Sequence, residues 1–287
     1  MYDSIIIGKG PAGITAAIYL KRAKFNCLVI GKDEGNLARA DKIENYYGVK
    51  ENITGLELIN KGIEQAKELD VEITDEEVIS IEDNGIFKVK TRDNMYESKS
   101  IVIATGVNRK KPIIKGIKEF EGKGISYCAI CDAFFYKNKD VAILGNGDYA
   151  LNEAKELLPI VNSITVLTNG KELVQNRDIT VNEVTKEIKA FNGDRYIENV
   201  EFVDNTKMNI DGIFIAEGIA SSTDLARRLG VITDKEHILV NDDMETNVKN
   251  VYAAGDCTGG ILQIPKAVYQ GMAAGLSIIR NFREGGK

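Results

Sequence analysis

The feature that most constrains this chain is the run Gly8-Lys9-Gly10-Pro11-Ala12-Gly13, which stands between two segments of different periodicity. Before it, Tyr2-Asp3-Ser4-Ile5-Ile6-Ile7 ends in consecutive β-branched apolar residues, as a parallel strand buried on both faces requires. After it, Ile14 to Ala23 is alanine-rich and helical in pattern, and Asn26 to Ile30 is a second apolar strand. Strand, glycine turn, helix and strand make a βαβ unit. The glycines allow a tight turn, admit a pyrophosphate against backbone N–H groups and bring helix close to sheet, while the helix N-terminus adds partial positive charge. Asp33 and Glu34 follow about twenty residues after Gly13, where a carboxylate can accept hydrogen bonds from an adenosine ribose. These pieces in this order predict a bound dinucleotide.

A second unit of the same kind begins at Asp140-Val141-Ala142-Ile143-Leu144, continues through Gly145-Asn146-Gly147-Asp148-Tyr149-Ala150 and a helix from Leu151 to Leu158, and closes on the strand Ser163 to Leu167. Ile101 to Ile103 before Ala104-Thr105-Gly106, and Val251-Tyr252-Ala253-Ala254 before Gly255-Asp256, read as further buried strands that end in small-residue turns. Polar, proline-broken Arg109-Lys110-Lys111-Pro112 and the step Asp211-Gly212 are the expected crossings between domains. The expected fold is α/β, with two Rossmann-like dinucleotide-binding domains and the second inserted into the first. The first spans 1–110 and 212–287, the second 111–211.

Composition narrows the function. With 287 residues, 44% of them hydrophobic, the chain can bury the cores of two domains, and no apolar run approaches the roughly 18 to 20 residues of a bilayer-spanning helix. Met1-Tyr2-Asp3 leads into the first strand without a basic region or cleavage site, so the expected location is the cytoplasm and no membrane is involved. A net charge of −6 without a long basic run excludes a phosphate-neutralising surface, and nucleic acid is not an expected partner. The single histidine, His237, sits in a polar surface turn and is read as structural. Of four cysteines, Cys128 and Cys131 form a lone CxxC, while Cys27 and Cys257 lie in apolar or small-residue surroundings and read as small buried hydrophobes. Without a second CxxC there is no four-thiolate set, so no metal is expected and a reversible disulfide is favoured.

Together these segments resemble the low-molecular-weight flavoprotein thioredoxin reductases over essentially the whole chain. The likeness rests on the first glycine motif, Ala104-Thr105-Gly106, Cys128-Ala129-Ile130-Cys131-Asp132 followed by Phe134-Phe135-Tyr136, and Gly255-Asp256 with Gln263 ahead of a closing helix. It implies FAD as cofactor, thioredoxin as substrate and a homodimer. The FAD residues it implies are Gly8, Gly10, Pro11, Ala12, Gly13, Asp33, Glu34, Gly35, Asn36, Leu37, Asn45, Ala104, Thr105, Gly106, Gly255, Asp256 and Gln263, with Asp256 on the ribityl chain. It also implies that Cys131 is the sulfur nearer the flavin and that Cys128 attacks thioredoxin. The chemistry of the motif agrees: two thiols two residues apart at a helix start can close a disulfide, and Asp132 can carry protons to and from the sulfurs.

The sequence departs from the family where the electron source is decided. An NADPH-using member carries arginines after the second strand of the inserted domain, suited to a 2′-phosphate. Here that position holds Thr168-Asn169-Gly170. In the preceding loop Asp148 would put a carboxylate near the incoming pyrophosphate, and Tyr149 a ring at the start of the helix; Asp148 is better suited to N-cap an unliganded helix. The combination resembles the ferredoxin-dependent flavin thioredoxin reductases, with reduced ferredoxin as donor and Arg109, Lys110, Lys111, Lys115 and Lys118 as a basic face for it. The alternative is an NADPH-dependent thioredoxin reductase whose 2′-phosphate is held by a lysine elsewhere, such as Lys171.

Overall fold

The computed structural model describes residues 1–49, 53–106, 112–127, 129–174, 179–218, 221–234 and 237–284, with the backbone alone of Ile130 and Cys131. Strand β1 (Ser4–Ile7) leads through the glycine loop into α1 (Pro11–Arg22), which starts on proline, where the missing N–H costs nothing. Then come β2 (Cys27–Ile30) and α2 (Gly55–Glu68); α2 is closed at its start by a reciprocal pair in which Thr54 Oγ1 accepts from the Glu57 N–H and the Glu57 carboxylate accepts from the Thr54 N–H. β3 (Glu72–Thr74), an antiparallel trio β4 (Val78–Asp83), β5 (Phe87–Thr91) and β6 (Met95–Ser98), and β7 (Ile101–Ile103) end the first passage.

The middle of the chain runs through α3 (Ile117–Phe120), β8 (Ile125–Ser126), the short α4 (Ala129–Asp132), β9 (Asp140–Leu144), α5 (Asp148–Leu157), β10 (Ser163–Leu167) and β11 (Asn182–Val184). A second antiparallel trio, β12 (Ile188–Gly193), β13 (Ile197–Phe202) and β14 (Lys207–Asn209), precedes β15 (Gly212–Ile215). The last passage holds α6 (Ser222–Arg228), the hairpin β16 (Thr233–Asp234) and β17 (His237–Ile238), β18 (Val251–Ala253) and α7 (Ile264–Glu284).

These elements form two compact units, Met1–Asn108 with Ser221–Lys287, and Arg109–Ala220. The sheet of the first has the order β18-β7-β1-β2-β3, and that of the second β8-β15-β9-β10-β11, all strands parallel in both. Each unit thus repeats one plan: a central strand, a glycine loop and helix, two strands outward on one side, an antiparallel trio, and a strand returning to the other side of the centre. The return strand is β7 in the first unit and β15 in the second.

That equivalence moves a boundary. The crossing back to the first domain was expected at Asp211-Gly212, but Gly212–Ile215 pairs with both β9 and β8, and the division falls after Ala220. The expected outbound crossing at Arg109-Lys110-Lys111 lies outside the described residues.

In the first unit α7 lies along α1 so closely that a Cβ on Gly271 would stand 2.1 Å from the Ala12 carbonyl oxygen, which explains the run of small residues at this contact. Ile6, Leu20, Val29, Val102 and Ile278 fill the core between helices and sheet. The second unit has its own core around Phe120, Leu144, Phe191, Val200 and Ile213. Among the described residues no helix is long and apolar enough to cross a membrane.

Candidate functional site

In the first unit, most of the FAD residues expected from sequence lie in the turns that leave the carboxyl ends of β1, β2, β7 and β18, the edge at which open parallel sheets bind ligands. The turns are tied to the sheet by the Gly8 N–H donating to Ile30 O (2.8 Å), Ala104 N–H to Ile7 O (2.8 Å) and Ala254 N–H to Ile103 O (3.0 Å). Gly13 is packed so tightly that a Cβ there would lie 1.9 Å from Gly8 O, whereas nothing lies within 4 Å of the place a Gly10 Cβ would take. Gly10 therefore lines open space above the start of α1. After β2, Asp33 Oδ1 accepts the Gly35 N–H (2.9 Å) and shapes the turn, Glu34 is exposed, and Asn36 and Leu37 enter a 3-10 turn. Asn45 and Gln263, far apart in sequence, meet with Nδ2 donating to Oε1 at 3.1 Å. Thr105 is exposed, and Gly106 O accepts from Ser222 Oγ (3.2 Å).

Gly255 opens the last turn with φ +88, a conformation that favours glycine, and Asp256 follows it half-buried. Burial pushes the Asp256 carboxyl pKa up, opposed by the Lys266 ammonium. Among the described residues no hydrogen bond reaches that carboxylate, although it stands at the mouth of the sheet. Cys257 is fully buried, its thiol donating to Ile103 O and Ala254 O (3.3 Å each), and burial pushes its pKa to about 12. Cys27 is likewise buried, pushed to about 11. Both are inert packing residues, as expected. His237 borders this turn, for a Cβ on Gly259 would meet its ring at 2.9 Å.

Sequence reasoning passed over three residues here. Lys9, inside the glycine motif, is 8% exposed and its Nζ lies 2.5 Å from Asp75 Oδ1 beyond β3. Lys266 and Gln270 project from α7 onto the Gly255 turn. Lys9 carried a signal, since a long cation at a variable position of a phosphate loop has to go somewhere; the other two carried none.

In the second unit α4 carries Ala129-Ile130-Cys131-Asp132, the later part of the CxxC and the carboxylate after it. Cys128 lies outside the described residues, and the Cys131 side chain is not described. The Ala129 N–H, at the start of α4, donates to Glu153 Oε2 (2.8 Å), a carboxylate of α5 that is 1% exposed. Asp132 accepts from Ser126 Oγ (2.7 Å). Tyr136 packs edge-on against Phe214, and its hydroxyl pKa is raised by burial and by the charge of Asp132. Phe134 and Phe135 stand exposed beside this segment, at 78% and 70%.

In the second glycine loop Asn146 is tied to the segment after β10, while the place a Gly147 Cβ would take has only Gly218 O near it, at 3.8 Å. Asn146 donates from Nδ2 to Glu172 O and accepts the Val174 N–H, both at 3.0 Å, and Leu173 between them is buried against Leu151 and Val166. Tyr149 is 2% exposed. Asp148 does not cap α5 as expected: the N-cap is Gly147, and Asp148 is the first helical residue, because the cap is the residue that still has extended backbone, here Gly147 with ψ −176. Lys171 Nζ is paired with Glu217 Oε1 at 2.5 Å. Among the described residues no group of three His, Cys, Asp or Glu side chains is placed to hold a metal.

A dinucleotide-type edge with an open glycine loop in one unit, and in the other a short helix carrying Ala129-Ile130-Cys131-Asp132, match the class of flavoprotein disulfide reductases. The family model for pyridine nucleotide-disulphide oxidoreductases matches residues 2–271. The thioredoxin reductase of Bacillus subtilis is 35% identical over 97% of this chain and 94% of its own length, and that of Listeria monocytogenes 32% identical over 96% and 92%. Among solved structures, the atypical thioredoxin reductase TRi of Desulfovibrio vulgaris Hildenborough superposes with a TM-score of 0.91 at 36% identity, covering 99% of each chain. A ferredoxin-flavin thioredoxin reductase of Clostridium acetobutylicum gives 0.70 at 32%, covering 99% and 98%, and the Lactococcus lactis thioredoxin reductase 0.59 at 33%, covering 99% and 100%. The chain belongs to the pyridine nucleotide-disulphide oxidoreductase family and, within it, to the low-molecular-weight thioredoxin reductases. FAD is the cofactor of that family. The residues of the first unit fit it: Gly10 leaves room where a pyrophosphate would approach backbone amides, and Asp256 offers a carboxylate that, among the described residues, no hydrogen bond occupies.

Proposed function

We propose that this chain reduces thioredoxin with electrons from reduced ferredoxin, without using NADPH, and works as a cytoplasmic homodimer. The observation that carries the reading is the tether in the second glycine loop: Asn146, between Gly145 and Gly147, is hydrogen-bonded to Glu172 and Val174 of the segment after β10. The Tyr149 ring fills the first turn of α5, and Lys171, the cation the NADPH alternative would need, is engaged by Glu217. No arginine stands in Thr168-Asn169-Gly170 to grip a 2′-phosphate.

Gly8, Gly10, Pro11, Ala12, Gly13, Asp33, Glu34 and Asp256 would hold FAD, which when bound links single-electron delivery to reduction of a disulfide. In the protein, the Cys128–Cys131 disulfide opens as it gains two electrons, and Asp132, steadied by Ser126, supplies a proton to one sulfur. The Cys128 thiolate then attacks the thioredoxin disulfide, Cys131 displaces reduced thioredoxin from the mixed disulfide, and Asp132 exchanges the proton again. Lys115 and Lys118 are exposed and would contribute to a basic face for an acidic ferredoxin; Arg109, Lys110 and Lys111 lie outside the described residues.

Anaerobic titration of the yellow protein tests this reading. Reduced ferredoxin should bleach the flavin absorbance within seconds, while NADPH at tens of Kd-equivalents for a dedicated site, on the order of 1 mM, should leave it unchanged. Rapid bleaching at micromolar NADPH would overturn it in favour of the pyridine-nucleotide enzyme.

A further inference from the structure

The Gly255 turn is gripped by two side chains one helical turn apart on α7. Gln270 Oε1 accepts from the Gly255 N–H and from Thr258 Oγ1, both at 2.9 Å. Lys266 Nζ donates to Gly255 O at 2.8 Å and to Gly259 O at 2.5 Å. Both backbone polar groups of Gly255 are therefore held by side chains, and the lysine spans the short 3-10 segment Asp256–Thr258 from one end to the other.

A lysine is a costly choice for this position on helix grounds. It stands third in a 21-residue helix whose first turn has no acidic residue, where the aligned amide dipoles already concentrate positive charge. It is also half-buried, and burial pulls its pKa down, with the Asp256 charge opposing. Helix stability and solvation both argue for a different residue, so the side chain is explained by what it holds. What it holds is the turn that presents Asp256, the half-buried carboxylate that no hydrogen bond reaches among the described residues.

We propose that Lys266 is a positioning residue of the flavin site: by clamping both ends of the Gly255–Gly259 turn it keeps the Asp256 carboxylate directed toward the hydroxyl groups of the bound cofactor. Gln270 completes the clamp from the amide side. The inference rests on the FAD reading of Asp256 and gives that reading a second residue through which affinity is controlled.

The test is a double-mutant cycle on the flavin-loaded protein, read as the FAD dissociation constant from flavin fluorescence on dilution and as the visible circular dichroism of the bound flavin. Asp256→Asn alone should weaken FAD about tenfold, and Lys266→Met alone should weaken it to a similar degree and change the dichroism. Because the lysine acts through Asp256, the double variant should be no weaker than Asp256→Asn by more than about twofold. Lys266→Arg, which keeps donors and charge, should recover affinity to within about threefold of the parent. A double variant weaker by the full product, about a hundredfold, would overturn the proposal by showing a general structural role. Unchanged FAD affinity in Asp256→Asn would overturn the FAD reading of that residue itself, and the proposal with it. If Lys266→Met does not fold, Lys266→Gln carries the same cycle.

Discussion

Gly10 and Gly13 stand three residues apart in one motif, yet the structure gives them different duties, and exchanging each for alanine separates those duties. At Gly13 the new methyl would lie 1.9 Å from Gly8 O and 3.1 Å from both Gly8 C and Ile6 Cγ2. Relief requires the loop and α1 to part by about 1 Å in a region packed to interior density, which costs about 1–3 kcal/mol. At Gly10 the backbone already has φ −75 and ψ −179, open to any residue, and nothing lies within 4 Å of the added carbon. The loss of a good N-cap residue and the gain from a stiffer unfolded chain nearly cancel there, leaving a change within about 0.5 kcal/mol. Flavin binding should respond to both, since Gly10→Ala places a methyl in the space a pyrophosphate needs, a loss of about 2–3 kcal/mol or roughly 30- to 150-fold in affinity. Urea denaturation of the flavin-free proteins and the ratio of flavin to protein absorbance on purification measure the two effects. Gly10→Ala should unfold like the parent and purify colourless; Gly13→Ala should unfold earlier and purify colourless. A fully yellow Gly10→Ala protein would refute the assignment of this loop to the pyrophosphate, and an undiminished midpoint in Gly13→Ala would refute the packing argument.

Three further outcomes follow from the same structure. Burial would raise the Glu76 pKa, but hydrogen bonds from Thr91, Tyr96, Thr74 and Asn94 outweigh it and hold the carboxyl at about 2 against an ordinary 4.5. That depression bounds its contribution at about 3 kcal/mol, and solvent screening reduces it to about 1–2 kcal/mol. The contribution is complete above pH 4.5 and fades as pH falls toward 2, so Glu76→Gln should lower the urea midpoint at pH 7 and match the parent near pH 2; an equal deficit at both would sink the account. Tyr149→Ala should cost about 3–5 kcal/mol by emptying a buried site, and calorimetry with NADPH should still show no binding. Ser126→Ala, which removes the hydroxyl held 2.7 Å from Asp132, should slow thioredoxin turnover about tenfold while stopped-flow flavin reduction is unchanged; loss of both rates together would mean the serine supports the fold instead.

The parts of this molecule that were legible in the sequence are those whose chemistry is local. A phosphate loop needs glycines at fixed offsets between a strand and a helix, so residues 8–13 announced β1, α1 and the sheet edge together. The return strand was misread because Ile213-Phe214-Ile215 is apolar whichever sheet receives it; a buried parallel strand carries no mark of its neighbours, and only the pairing with β8 and β9 decides. The cap of α5 was misplaced for a related reason: Asp148 has a capping side chain, but the extended backbone that makes a residue a cap belongs to Gly147. Long-range polar contacts were the least legible. Lys9 reaches Asp75 across 66 residues and Asn146 reaches Glu172 across 26, and neither separation follows from helix or strand periodicity. This difference bears on function. Sequence could show that no arginine stands at Thr168-Asn169-Gly170 directly after β10, which argues for weak nucleotide binding; the contacts of Asn146 add that this residue has found partners within its own chain. On the proposed reading, a nucleotide that needed the Asn146 segment to move would lose two backbone-directed hydrogen bonds and disturb the packing of buried Leu173, and the chain supplies no guanidinium at Thr168-Asn169-Gly170 to offset that cost.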